Sequence, residues 1–233
     1  MNYTTTMSQG DTQLAQSSFI TKVYGWMCMA LMITALVGAV TASTPELLKA
    51  VVMNRIVFYI LLFAELGLVW YVSASIDRIS AMTATLLFLL YSALNGLTLS
   101  VIFVVYTSSS ISTTFLTTAL TFGAMSLYGY TTKRDLTSWG NLLIMALVGV
   151  LIGSVINMFL QNEFLYWVFT YVGIIVFVGL TAYDTQKVKE MALNDFHTSE
   201  NERKGAILGA LTLYLDFINL FLMLLRLFGN RRN

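Results

Sequence analysis

The stretch GAILGALTLYLDFINLFLMLLRLF, residues 205–228, decides the class of this chain. It is apolar for longer than the roughly 20 residues a bilayer-crossing helix needs, yet it carries Asp216 near its middle. A carboxylate at that depth costs roughly 2.5–3.5 kcal/mol on insertion scales, so it faces the bundle interior or water and has a partner. The preceding apolar segment, Phe164 to Tyr183, runs directly into Asp184. The last two hydrophobic segments therefore carry one acid each, and intramembrane acids mark a functional site by default.

The rest of the chain has the same character. Hydrophobic residues make up 57% of it and charged residues 11%, with a mean hydropathy of +0.75. Seven apolar runs stand out: Val23–Ala42, Ile56–Ala74, Ala81–Tyr106, Ile111–Tyr130, Asn141–Leu160, Phe164–Tyr183 and Gly205–Phe228. These runs are about twice the length of a barrel strand and lack its alternation, which predicts helices. The expected fold is an all-α integral membrane protein, a seven-helix transmembrane bundle over residues 19–233 behind a polar N-terminal tail, residues 1–18. That tail lacks Lys and Arg and the first run has full span length, so no cleaved signal is expected. The lone Cys28 excludes an internal disulfide. A formal net charge of +1 leaves no basic surface for nucleic acid.

If seven spans alternate, eight of the 13 basic residues fall on the side of the N-terminus, among them Lys22, Arg78, Lys133, Arg134, Lys187 and Lys204. The positive-inside rule then predicts a cytoplasmic N-terminus and an external C-terminus. Helical spacing places Gly205, Gly209, Thr212, Asp216 and Asn219 on one face of the last span, predicted to face protein. The small-residue pairs Gly205/Gly209 and Gly149/Gly153 predict close helix approach. Tyr91, Asn95 and Thr98 form a polar stripe on the third span. Convergence of such stripes on one acid-bearing helix predicts a central last helix wrapped by the others. With Pro45 the only proline, no span is kinked by one.

Among the candidate functional residues, Thr212 and Asn219 lie within reach of Asp216 along the helix and are expected to hydrogen-bond its carboxyl group. Glu65, deep in the second span, has no local countercharge and is read as a second functional acid. Arg78, beside Asp77 at the end of that span, is either an interfacial anchor or a counter-ion for Asp184. His197 is read as a solvated loop residue. Two carboxylates close together in a low-dielectric setting cannot both ionise without cost, so Asp184 and Asp216 should take up protons as a unit. A shared proton would tie the last two helices together. When both acids are ionised they repel and could admit a hard cation such as Ca²⁺, weakly and transiently because only two carboxylates are on offer.

The segments Gly179-Leu180-Thr181-Ala182-Tyr183-Asp184-Thr185-Gln186 and Leu213-Tyr214-Leu215-Asp216-Phe217-Ile218-Asn219-Leu220-Phe221 resemble the sixth- and seventh-helix signatures of the Bax inhibitor family, the transmembrane Bax inhibitor motif proteins. Leu94-Asn95-Gly96-Leu97-Thr98 resembles that family's third helix, and Thr132-Lys133-Arg134-Asp135-Leu136 its loop between the fourth and fifth. The resemblance implies a seven-helix fold with a central last helix and a pH-sensitive Ca²⁺ leak governed by an aspartate pair, which maps to Asp184 and Asp216. It also implies a pathway acid at Glu65 and a bacterial cytoplasmic membrane as the location, and Asn95 is read with Thr212 and Asn219 as a supporting polar residue of the site. No cofactor is expected beyond Ca²⁺ as the transported ion, and the partners are the bilayer, Ca²⁺, protons and possible membrane proteins. A rival reading is an interaction protein that regulates membrane quality-control partners through the polar tail. A Ca²⁺/H⁺ antiporter is a third. An intramembrane aspartyl protease shares Tyr183-Asp184, but it needs Gly-x-Gly-Asp where this chain reads Leu213-Tyr214-Leu215-Asp216. The chain is therefore not expected to be an enzyme.

Overall fold

Each long apolar run becomes a helix because a backbone in hydrocarbon has no water to satisfy it and must bond to itself. The computed structural model describes residues 9–193 and 198–232; the first eight residues of the polar tail and His197 lie outside the described residues. The helices are α1 (Gln9–Ser43), a short α2 (Pro45–Leu48) continued by a π-helical turn (Lys49–Met53), α3 (Arg55–Ser75), α4 (Ala81–Val105), α5 (Ser108–Thr131), α6 (Thr137–Leu160), α7 (Glu163–Met191) and α8 (Ser199–Phe228). The polar stretch before Phe19 is thus helical from Gln9 onward.

Helix starts coincide with short polar side chains that accept the otherwise unpaired first N–H groups. Asn54, Ser80, Thr107, Asn162 and Thr198 each cap the helix that follows. Between α5 and α6, Asp135 Oδ1 accepts from the Thr137 N–H at 2.8 Å. The side-chain and backbone hydrogen bonds from Thr137 hold the Asp135 carboxyl below its ordinary value of 3.8. α6 ends on Gln161 in the left-handed conformation, φ 50°. That strained turn is held by Asn157, whose amide donates to the Asn162 carbonyl at 3.0 Å and accepts from its N–H at 3.1 Å.

Six helices, α1, α3, α4, α6, α7 and α8, are long and apolar enough to cross a membrane. The helix α5 is as long, but eleven of its 24 residues are Ser or Thr, and it falls short on composition. The expected count of seven spans is therefore not met by hydropathy. The all-α membrane class is.

α8 packs against α7, α1, α5 and α4, while α3 leans on α4 and α6 on α7. In its most apolar window 67% of α8 is buried, against 6% of α6, which makes α8 the axis and α6 a lipid-facing helix. Leu213, Tyr214 and Leu220 on α8 are fully enclosed. The ends are tied as well. Lys22 Nζ pairs with Glu202 Oε1 at 2.6 Å, and Glu200 accepts the Ala81 N–H at 3.2 Å, so α1, α4 and α8 meet at one face of the bundle. At the other face the chain after α8 pairs with the α4–α5 link, Thr107 N–H to Asn230 O at 3.1 Å and Arg232 N–H to Val105 O at 2.9 Å.

Of the glycines whose spacing predicts close helix approach, Gly209 fits, since a Cβ there would meet Val188 of α7 at 3.1 Å and Val23 of α1 at 3.4 Å, while the pair on α6 does not. Gly149 has nothing within 4 Å of where a Cβ would stand, and Gly153 makes room for the Phe169 ring rather than for a backbone. The tight backbone contacts are Gly96 against the Thr34 carbonyl of α1 and Gly129 against the Ala182 carbonyl of α7. α6 is a lipid-facing helix, so a small-residue pair on it has little helix to meet.

Candidate functional site

Asp184 lies in the last third of α7 and Asp216 midway along α8. Both are buried, with 8% and 5% of their surface exposed. The packing of α7 on α8 brings the two carboxyl groups within hydrogen-bonding range of one another. Ionised carboxylates only accept, so neither can bond to the other unless a proton lies between them. Asp216 Oδ2 makes the point concrete: it is buried, and no donor among the described residues reaches it. A buried acceptor without a donor costs roughly 1–3 kcal/mol, a cost that favours a proton on the Asp216 carboxyl group.

The expected helpers of Asp216 are engaged elsewhere. Thr212 Oγ1 donates to the Leu208 carbonyl at 3.1 Å, and Asn219 Nδ2 donates to the Leu215 carbonyl at 2.8 Å. Both bond one turn back along their own helix, a habit of short polar side chains whose backbone carbonyl is nearer than any lateral partner. The nearby hydroxyls of α7 behave likewise, with Thr185 Oγ1 on the Thr181 carbonyl at 2.7 Å. Arg78 is not a counter-ion for the pair either. It is exposed in the turn after α3, and no carboxylate among the described residues pairs with it. The cation whose charge acts on Asp184 is Lys187, one turn further along α7.

Glu65 forms a second cluster. It projects from α3, otherwise largely lipid-facing, into the contact with α4, where 6% of its surface is exposed. Its Oε1 accepts from Thr98 Oγ1 at 2.9 Å and its Oε2 from Asn95 Nδ2 at 3.2 Å. Asn95 Oδ1 in turn accepts from the Tyr214 hydroxyl at 3.1 Å, and that hydroxyl lies 2.7 Å from Thr34 Oγ1 on α1. One polar chain thus links α3, α4, α8 and α1 through the middle of the bundle. Asn95 serves Glu65, not the aspartate pair.

Tyr214 and Asp216 are two residues apart on α8, about 200° around the helix at 100° per residue, so they face opposite sides. α8 therefore carries a hydroxyl toward the Glu65 cluster and an acid toward Asp184. Sequence reading missed Tyr214 and Thr34 as members of this network. Tyr214 lies in the decisive stretch and reads as one more aromatic, and nothing in the α1 sequence marks Thr34. It also missed Gln186, which accepts the Leu136 N–H at 2.9 Å and donates to the Arg134 carbonyl at 2.8 Å, closing the loop beside Asp184. Lys189 closes it further with the Tyr130 carbonyl at 2.8 Å.

Among the described residues no three His, Cys, Asp or Glu side chains come together as a cation cage. The chemistry on offer is a proton-sharing acid pair on one side of α8 and a hydrogen-bonded single acid on the other.

These features define an all-α integral membrane protein whose central helix joins two buried acidic clusters. The chain belongs to the Bax inhibitor family: residues 16–233 match the family described as "Inhibitor of apoptosis-promoting Bax1". It is similar to the "Inner membrane protein YbhL" of Escherichia coli strain K12, 56% identical over 216 residues, covering 92% of each chain. It is also similar to an uncharacterized protein of Borreliella burgdorferi, 44% identical over 220 residues with 94% and 95% covered. A third relative is the uncharacterized protein RP147 of Rickettsia prowazekii, 42% identical over 218 residues with 92% and 90% covered.

Proposed function

We propose that this protein is a pH-sensitive Ca²⁺ leak pathway of a bacterial inner membrane, with Asp184 and Asp216 as sensor and gate and Glu65 as a pathway acid. The observation that carries this reading is the buried meeting of the two carboxyl groups, with Asp216 Oδ2 lacking any other donor. With one proton between them the acids tie α7 to α8. With none they repel across a contact of low dielectric, and the helices part. The freed oxygens, with water and the nearby hydroxyls, are hard ligands of the kind Ca²⁺ takes, held too loosely for tight binding.

The location rests on the relative whose name places it in the inner membrane. In this reading α5 completes a seven-span bundle, since the loops at its two ends lie at the same two faces as those of its neighbours. The N-terminus is then cytoplasmic, on the Asp184 side.

The test is Ca²⁺ flux into liposomes holding the purified protein across a pH series, comparing the wild type with Asp184→Asn and Asp216→Asn. The wild type is expected to leak more as pH rises through the titration of the pair, and both variants to lose that slope. An unchanged slope in both variants removes the pair from the mechanism. Liposomes that hold their gradient at every pH remove the leak.

A further inference from the structure

A second site lies at the opposite end of α7. A cleft of about 460 Å³ opens where the end of α6, the turn after it, the start of α7 and the end of α8 meet. It falls in the size range of small-ligand sites. Glu163, on its wall, stands 21 residues before Asp184, about 30 Å along α7 at the rise of a helix, which is the thickness of the hydrocarbon layer. Just inside, the Trp167 ring meets Tyr166 edge-on and Tyr171 at a tilt, at centroid distances of 5.5 and 6.2 Å. Such an aromatic belt sits at headgroup level. Immediately beside the cleft Phe159 and Phe164 expose 78% and 74% of their surfaces, which suits acyl chains rather than water.

The cleft holds two opposite charges that do not neutralise each other. Arg226 lies over the Tyr166 ring at 5.7 Å and makes no ion pair or hydrogen bond among the described residues. Glu163 makes none either. Behind them the wall is fixed, since Asn157 pins both backbone groups of Asn162 and holds the left-handed Gln161.

We propose that this cleft binds the headgroup of phosphatidylethanolamine. The Arg226 guanidinium takes the phosphate in its planar fork, and the Glu163 carboxylate accepts hydrogen bonds from the primary ammonium. An anionic headgroup would meet Glu163 as a like charge. A quaternary ammonium cannot donate to that carboxylate, and of the two rings that line the cleft, Tyr166 and Phe169, the first is already covered by Arg226. The charge pattern therefore selects a zwitterion with N–H donors. This site is independent of the leak reading.

The experiment is native mass spectrometry of the delipidated full chain in detergent, offered equal amounts of phosphatidylethanolamine, phosphatidylcholine and phosphatidylglycerol. The wild type is expected to retain the ethanolamine lipid about tenfold over the others, the worth of one charge-assisted hydrogen bond. Arg226→Gln should abolish that retention, and Glu163→Gln should shift the preference toward phosphatidylglycerol. Free phosphoethanolamine should compete and inorganic phosphate should not. A melting curve for each variant confirms folding, and exposed Glu163 is the safer substitution of the two. Equal retention of the three lipids by the wild type, or retention unchanged in both variants, overturns the proposal. So does competition by inorganic phosphate as strong as by phosphoethanolamine, which would make the cleft a simple anion site.

Discussion

Replacing Tyr214 by Phe isolates the polar chain through the bundle. The ring is fully buried and its edge contacts with Phe88 and Tyr91, at centroid distances of 5.9 and 5.7 Å, survive the change. Only the hydroxyl is lost. Thr34 loses little, because its single proton already has the Ala30 and Ser92 carbonyls at 3.0 and 2.9 Å as acceptors. Asn95 Oδ1 loses its only donor among the described residues and stays buried. An orphaned amide oxygen costs roughly 1–3 kcal/mol in a protein core. Interhelical hydrogen bonds in membranes average about 0.6 kcal/mol and reach about 1.7, because the unfolded state in the bilayer also finds partners. The expected loss is therefore about 1–2 kcal/mol, read by reversible unfolding in mixed detergent and SDS micelles. The same change in an Asn95→Ala background should cost under about 0.3 kcal/mol, since the oxygen to be orphaned is gone. A single variant as stable as the wild type, or an equal loss in both backgrounds, refutes the hydrogen-bond chain.

Gly129→Ala sets a Cβ onto the Ala182 backbone carbonyl, which cannot move aside, and should lower stability by about 1–3 kcal/mol, whereas Gly149→Ala meets nothing within 4 Å and should be neutral in the same melting assay. Asp216→Asn keeps the side-chain shape and replaces the shared proton by N–H donors that a rise in pH does not remove. It should raise stability near neutral pH by about 1 kcal/mol and flatten its pH dependence, and a lower melting temperature at every pH would contradict the shared-proton geometry. Exchanging Lys22 and Glu202 should be nearly silent, while Lys22→Glu alone should cost no more than about 1 kcal/mol, less in high salt, because the pair is half exposed.

Several elements were legible from one dimension. Asp216 inside an apolar run could only be buried against something, and the acid at the end of the preceding apolar run proved to be its neighbour. Glu65 was legible for the same reason. The polar stripe of Tyr91, Asn95 and Thr98 faced protein as spacing predicted, because a hydroxyl or amide turned toward lipid has no partner. The partners themselves were not legible. Thr212 and Asn219 look like ligands of Asp216 on a helical wheel, but the carbonyl one turn back along the helix competes first, and it won. Arg78 shares a face with Asp184 in topology alone, since a turn residue can reach lipid headgroups or water in any direction.

The chain by itself determined that this is a bundle of membrane helices, where most of them begin and end, and that its acids lie within them. Those properties follow from the cost of exposing backbone and charge to hydrocarbon, which each segment meets or fails alone. Only the tertiary structure decided which glycines touch a backbone, that Tyr214 and Thr34 complete the Glu65 cluster, that Arg78 stands exposed rather than paired with Asp184, and that Arg226 and Glu163 share a cleft. Each depends on the rotation and height of one helix against another, and those are set by the summed packing of many side chains.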